Sequence, residues 1–141
     1  MKRLNLLLLI IIPSIVLATN NEVYVKQSWV RETIPGVKNS SAYFTIYNPS
    51  DKTLILLSAK SQLVETVELH SHSSENGVMK MRKLDSVLIP SKGFVEFKLM
   101  SNHLMLFGLK KKIKAGDIVP FTLKFKNHSP LTFTAIVKRP K

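Results

Sequence analysis

The chain has 141 residues, 45% of them hydrophobic, and its 21 lysines and arginines face only nine acidic residues, a formal net charge of +12. That length makes one domain, large enough to enclose a core without the disulfides that a chain with no cysteine cannot form. The cationic balance suits anionic membrane surfaces, acidic proteins or nucleic acid as partners, and its competing reading is plain solubility. Nucleic acid is excluded as a partner by the export reading that follows, and the lysines are spread along strand-like segments as on solvated faces.

Residues 1–18 read as a signal peptide. Lys2 and Arg3 supply a positive start, Leu4 to Leu17 are mostly apolar, and Val16-Leu17-Ala18 offers small residues where a signal peptidase cuts. Pro13 interrupts the apolar run, which is short of the roughly 20 residues needed to cross a bilayer. An uncleaved anchor helix is the competing reading. The mature domain is then 19–141, in the periplasm, and without cysteine no lipid is attached through a thiol.

From there the chain alternates as strands do. Val23-Tyr24-Val25, Ser28-Trp29-Val30, Ala42 to Tyr47 and Leu54 to Leu57 are rich in β-branched and aromatic residues. Glu65 to His70 places Val67 and Leu69 on one face, with Glu68, His70 and His72 on the other. Gly77 to Arg82 puts Met79 and Met81 on a shared face. Val95, Phe97 and Leu99 alternate with Glu96 and Lys98. In Asn102 to Phe107, His103 and Met105 project together while Leu104 and Leu106 point inward. Phe121 to Lys126 and Leu131 to Ala135 complete the pattern. Turn chemistry divides the strands at Ile34-Pro35-Gly36, Asn48 to Asp51, Pro90 to Gly93, Ala115-Gly116-Asp117 and Asn127 to Pro130. No stretch after the signal shows a sustained 3.6 period. The fold expected is all-β, a Greek-key β-sandwich or barrel.

Four of these side chains carry chemistry. His70 is followed by ten residues and Met81, then by twenty-one residues and His103, then by one residue and Met105. Two imidazoles and two thioethers form a soft, uncharged donor set, and thioether sulfur selects Cu(I) over Mg²⁺ or Ca²⁺. The competing reading is that the methionines fill gaps in the core. His72 is either a solvated strand residue or an auxiliary donor for Cu(II), which prefers nitrogen. His128 falls in a turn and reads as a loop histidine. Glu68 is either an acceptor that orients an imidazole or an exposed strand carboxylate.

The spacing resembles that of the PCuAC-type periplasmic copper chaperones, whose signature is His-X10-Met-X21-His-X-Met. His70, Met81, His103 and Met105 match it residue for residue. Val67-Glu68-Leu69-His70, Gly77 to Arg82, Trp29-Val30-Arg31, Ala42-Tyr43-Phe44 with Asn48, Ala115-Gly116-Asp117 and Leu123-Lys124-Phe125 extend the likeness over nearly the whole mature chain. One departure is Leu99-Met100-Ser101-Asn102, where the family places a Pro-Gly-Gly-like turn. Asn102 is the expected residue of positive φ there, and Met100 adds a nearby sulfur. The resemblance implies a cupredoxin-like fold that carries one Cu(I) and no catalytic machinery. It also implies a protein acceptor: a cytochrome c oxidase copper subunit or another copper chaperone. Two other functions compete, copper scavenging or tolerance and a metal-free exported structural β-sandwich.

Overall fold

The structure, a computed structural model, describes residues 21–139; the signal-peptide reading of residues 1–18 falls outside them. The described residues form ten strands and no helix: β1 (Tyr24–Arg31), β2 (Ser40–Asn48), β3 (Leu54–Lys60), β4 (Val64–Glu75), β5 (Val78–Lys83), β6 (Val87–Ile89), β7 (Gly93–Phe97), β8 (His103–Leu109), β9 (Ile118–Phe125) and β10 (His128–Lys138). They hydrogen-bond in the order β5-β4-β8-β2-β1-β10-β9-β3-β6, with β7 on the far half of β2. β1 and β10 run parallel, and every other pairing is antiparallel. The fold is all-β and cupredoxin-like, as the alternation and the family likeness led one to expect.

Alternation decides what lies inside. Phe121, Leu123 and Phe125 of β9 are buried while the residues between them are exposed. Leu104 and Leu106 of β8 are wholly buried. Phe44 stacks on Phe97 at 4.4 Å and tilts against Phe133 at 5.0 Å, which in turn stacks on Phe121. Asn48, also buried, donates from Nδ2 to the carbonyls of Lys52, Ile89 and Pro90, while its Oδ1 accepts from Ser50. The predicted turn after β2 is therefore built around one satisfied amide.

Several boundaries differ from the sequence expectation. The two segments Val23–Val25 and Ser28–Val30 form a single strand, because a bulge at Gln27 (φ 56°) shifts the register between Lys26 and Trp29. The alternation of Val95, Phe97 and Leu99 stops at Phe97, and Leu99 is exposed past the strand end. His128 is the first residue of β10, paired with Phe125, and not a loop residue. Met100, not Asn102, takes the left-handed conformation (φ 62°) before β8. β6 was too short to give a period.

Two local features fix the face that matters for function. Asn76 and Gly77 both have positive φ, 51° and 78°, the pair that a two-residue hairpin turn requires. That turn sets β5 against β4 so that Met81 lies opposite His72. A slip of one residue would send every β5 side chain to the other face. Gly108 (φ 70°) lets β8 pass the Glu65 side chain, where a Cβ would collide.

Leu104 anchors β8 from behind. Leu104→Ala should lower the free energy of unfolding by about 2–5 kcal/mol in denaturant titration. A loss under about 1 kcal/mol would show that β8 is not held by the core.

Candidate metal centre

Three strands, β5, β4 and β8, carry the predicted donors on one face. His70 of β4 pairs with His103 of β8, Glu68 with Met105, and His72 with Met81 of β5. Side chains directly opposite each other in antiparallel strands stand about 4.5–5.5 Å apart at Cβ. Residues separated by more than thirty positions thus become neighbours without a local loop. Met81 is half-exposed and reaches across β4, so that its Sδ lies 3.2 Å from Nε2 of His103. The His103 ring stands 5.0 Å from that of His72 and 5.9 Å from that of His70. Met105 is partly buried on the same face, one pair of residues further along β8.

The protonation pattern follows from the hydrogen bonds. Nδ1 of His103 is 3.0 Å from the Ser101 carbonyl oxygen, which accepts only, so Nδ1 carries the proton. Nε2 then offers a lone pair, and it faces a thioether that has no proton to give. Two electron-pair donors facing each other at 3.2 Å form an arrangement suited to a shared cation. His70 is fixed the opposite way round. Its Nε2 lies 2.8 Å from Glu68 Oε2, so Nε2 donates and Nδ1 is left as the acceptor, buried and without a partner. His72 Nδ1 is likewise buried and unpartnered. Unpartnered buried polar atoms are costly in a finished core, and two of them stand together on this face.

Sequence reasoning put His103 on the polar side of its strand, which is correct, but not that the residue would be 3% exposed. His70, His72, Met81 and the Tyr43 ring at 6.3 Å cover it. Desolvation holds the His103 imidazole below its ordinary value of 6.5, with nearby His72 and His70 adding to the effect. Glu68 is lowered by the His70 hydrogen bond first and by Lys83 second. Lys83 Nζ lies 2.8 Å from Glu68 Oε1, so one carboxylate links a lysine of β5 to a histidine of β4. Glu75, held low by Arg82 and then Lys80, ties off the tip of the same hairpin. The Ser101 carbonyl and the Lys83 link were invisible in sequence, because a backbone acceptor leaves no signature. Among the described residues no three His, Cys, Asp or Glu side chains converge closely enough to hold an ion alone. A centre on this face needs the sulfurs.

Comparison with known proteins bears on the family and the fold. A family model described as LpqE-like matches residues 23–137. The chain belongs to the LpqE-like family. RP573 of Rickettsia prowazekii (strain Madrid E) is 35% identical over 111 residues, covering 76% of this chain and 61% of that protein. The chain thus spans about three fifths of the length of RP573. The solution structure of CuI-DR1885 from Deinococcus radiodurans is 31% identical, with a TM-score of 0.60 over 79% of this chain and 75% of that one. The copper-bound PCuAC domain from PmoF2 superposes with a TM-score of 0.71 over 84% of this chain and 93% of that one, at 21% identity, a likeness of fold. In fold the domain is similar to the PCuAC domains of known structure.

Two outcomes test the geometry without metal. Because folding keeps His103 neutral and unfolding lets it protonate, stability should fall as pH drops below 6.5 towards the folded value. NMR titration should accordingly place the His103 midpoint below 6.5, and a midpoint at or above it would contradict its burial. At alkaline pH, ¹⁵N shifts should show His70 protonated at Nε2. Glu68→Gln should preserve that tautomer and Glu68→Leu should mix the two; an unmixed Leu variant would show that the carboxylate does not set it.

Proposed function

We propose that the protein is an exported carrier of a single Cu(I), bound by His70, Met81, His103 and Met105 and passed to an acceptor protein. The observation that carries this reading is the contact between Nε2 of His103 and Sδ of Met81, twenty-two residues apart, with the imidazole proton drawn away to Ser101. The CuI-DR1885 and PmoF2 structures hold copper under their own names, which supports the same cargo here. The family description is that of a lipoprotein, which supports an exported, envelope-associated chain with residues 1–18 as its signal peptide and 19–141 as the working domain.

The donor set explains why such a protein would carry copper and not convert it. Thioethers have no proton to lose, and neutral imidazole offers one lone pair. These four donors are therefore uncharged without metal and would gain one positive charge with Cu(I). No thiolate is exposed to the oxidising envelope. Without anionic ligands the grip stays moderate. An acceptor's own thiolates or imidazoles then replace the four donors in turn, with no change in oxidation state and no nucleophile or acid–base pair required. A cytochrome c oxidase copper subunit or another copper chaperone is the acceptor this reading favours; scavenging uses the same site with no dedicated recipient.

One observation favours a second mode. His72 Nδ1 is buried without a partner, beside His103. In this mode its ring would add a third nitrogen for Cu(II), to which imidazole is better suited than sulfur.

Titration of the reduced protein with Cu(I) against a competing chelator should give one ion per chain. Met81→Leu should weaken binding by at least about tenfold, as loss of a ligand costs no less than loss of an outer partner. His70→Ala/His103→Ala should abolish it. Stoichiometric Cu(I) binding by the double variant would end the proposal.

A further inference from the structure

The charge of the molecule is not evenly spread. At the end where β8 finishes, the loop between β1 and β2 packs beside the segment that follows Leu109. Two adjoining shallow grooves there are lined by Arg31, Lys38, Lys110, Lys111, Lys112 and Arg139. The one carboxylate among the lining residues is Glu32, already bonded to Arg139 Nε at 2.7 Å and to the Ala115 amide. Among the described residues Lys38, Lys110 and Lys111 have no carboxylate within ion-pair distance. At the donor face, by contrast, Lys80, Arg82 and Lys83 are each paired with Glu75 or Glu68. Self-repulsion on this scale costs stability unless something anionic covers it.

The same end carries apolar side chains in water. Ile34, at the turn of the β1–β2 loop, is 71% exposed, the highest value for any large hydrophobic among the described residues, and Val37 is 47% exposed. They stand on either side of Pro35 and Gly36, with Lys38 next in sequence. Two aliphatic side chains at the tip of a loop, ringed by unpaired lysines, combine the two attractions a bilayer surface offers: insertion among acyl chains and contact with anionic headgroups. An acidic protein would answer the lysines and leave Ile34 and Val37 unexplained.

We propose that this pole is a docking surface for an anionic phospholipid bilayer, with Ile34 and Val37 entering the interface and Lys38 and Lys110–Lys112 contacting headgroup phosphates. β8 runs from His103 to Leu109, so docking sets the donor face about 20 Å along the strand from the lipid. At that height the face stays in water and open to a membrane-bound partner. The inference stands on charge and exposure alone and does not depend on copper. The opposite pole, where Tyr24 stacks on Tyr47 and Phe94 tilts against it, is the natural comparison: it has exposed rings, but Lys92 there is paired with Asp51 and Lys26 lies over two of the rings.

The absence of cysteine provides the test. Ile34→Cys and, separately, Phe94→Cys in the full chain each give one attachment point for a polarity-sensitive fluorophore. With vesicles of phosphatidylcholine and phosphatidylglycerol, the label at 34 should shift to the blue. Brominated acyl chains should quench it at least threefold more than the label at 94. Lys110→Gln/Lys111→Gln/Lys112→Gln should remove that difference, whereas Lys80→Gln/Lys98→Gln should leave it within about twofold. A label at 34 that stays in water, whether or not the chain sediments with the vesicles, overturns the proposal. So does equal quenching at both positions, or equal loss from both sets of lysine variants. A shift at 34 on adding an acidic protein but not vesicles assigns the pole to a protein and overturns it as well.

Discussion

The arrangement of the donor face rests on one constraint, the register of β4 against its two neighbours. Side chains alternate with period two, so the identity of the residues facing one another is fixed once a single pair is set. The Asn76-Gly77 turn sets one side and the buried Leu104 and Leu106 set the other. With both in place, His70 meets His103 and His72 meets Met81. No residue of the donor set is placed by a flexible loop. Binding would then demand little ordering of backbone, and the exchange of ligands with an acceptor is left to side chains.

Much of this was legible beforehand. The strands with clean alternation, β9 above all, were visible because one side faces the core and the other faces water. The inward pointing of Leu104 and Leu106 followed from the same rule. β6 was not visible, since three residues show no period, and the bulge at Gln27 made one strand look like two. The turn before β8 was placed on Asn102 by residue preference, yet Met100 takes the positive φ. Tertiary pairing decided the matter there: Ser101 must present its carbonyl to the His103 ring and to the His72 amide. A left-handed residue costs roughly 1–2 kcal/mol, which two such bonds at about 1 kcal/mol each offset.

At the candidate site, residue types and spacing picked out the candidate donors, but three dimensions were needed to learn which atom of each faces the others. Ser101 takes the Nδ1 proton of His103, and Glu68 takes the Nε2 proton of His70. The two imidazoles therefore present different nitrogens, one held by a backbone carbonyl and the other by a carboxylate that also contacts Lys83. The carboxylate is not a spare ligand. Its charge is spent on a lysine and a histidine, which keeps the donor face close to neutral despite a strongly cationic chain.

The donors also differ in depth. His103 is buried and His70 is largely covered, while Met81 lies half-exposed on β5, the last strand of its sheet edge. An incoming acceptor would therefore meet the thioether before either imidazole. Thioether is a neutral ligand on a flexible side chain, and of the four donors it is the one most easily displaced without disturbing the backbone. The two less exposed histidines, fixed by their second nitrogens, would on the proposed reading keep the ion until that first exchange has happened. Order of release would then be set by exposure, from the edge strand inward, and the edge position of β5 becomes a working feature of the fold. An edge strand is ordinarily an aggregation hazard, and Lys80, Arg82 and Lys83 are the charges that guard against it. The same strand can thus stay open to a specific partner while resisting casual pairing with another sheet.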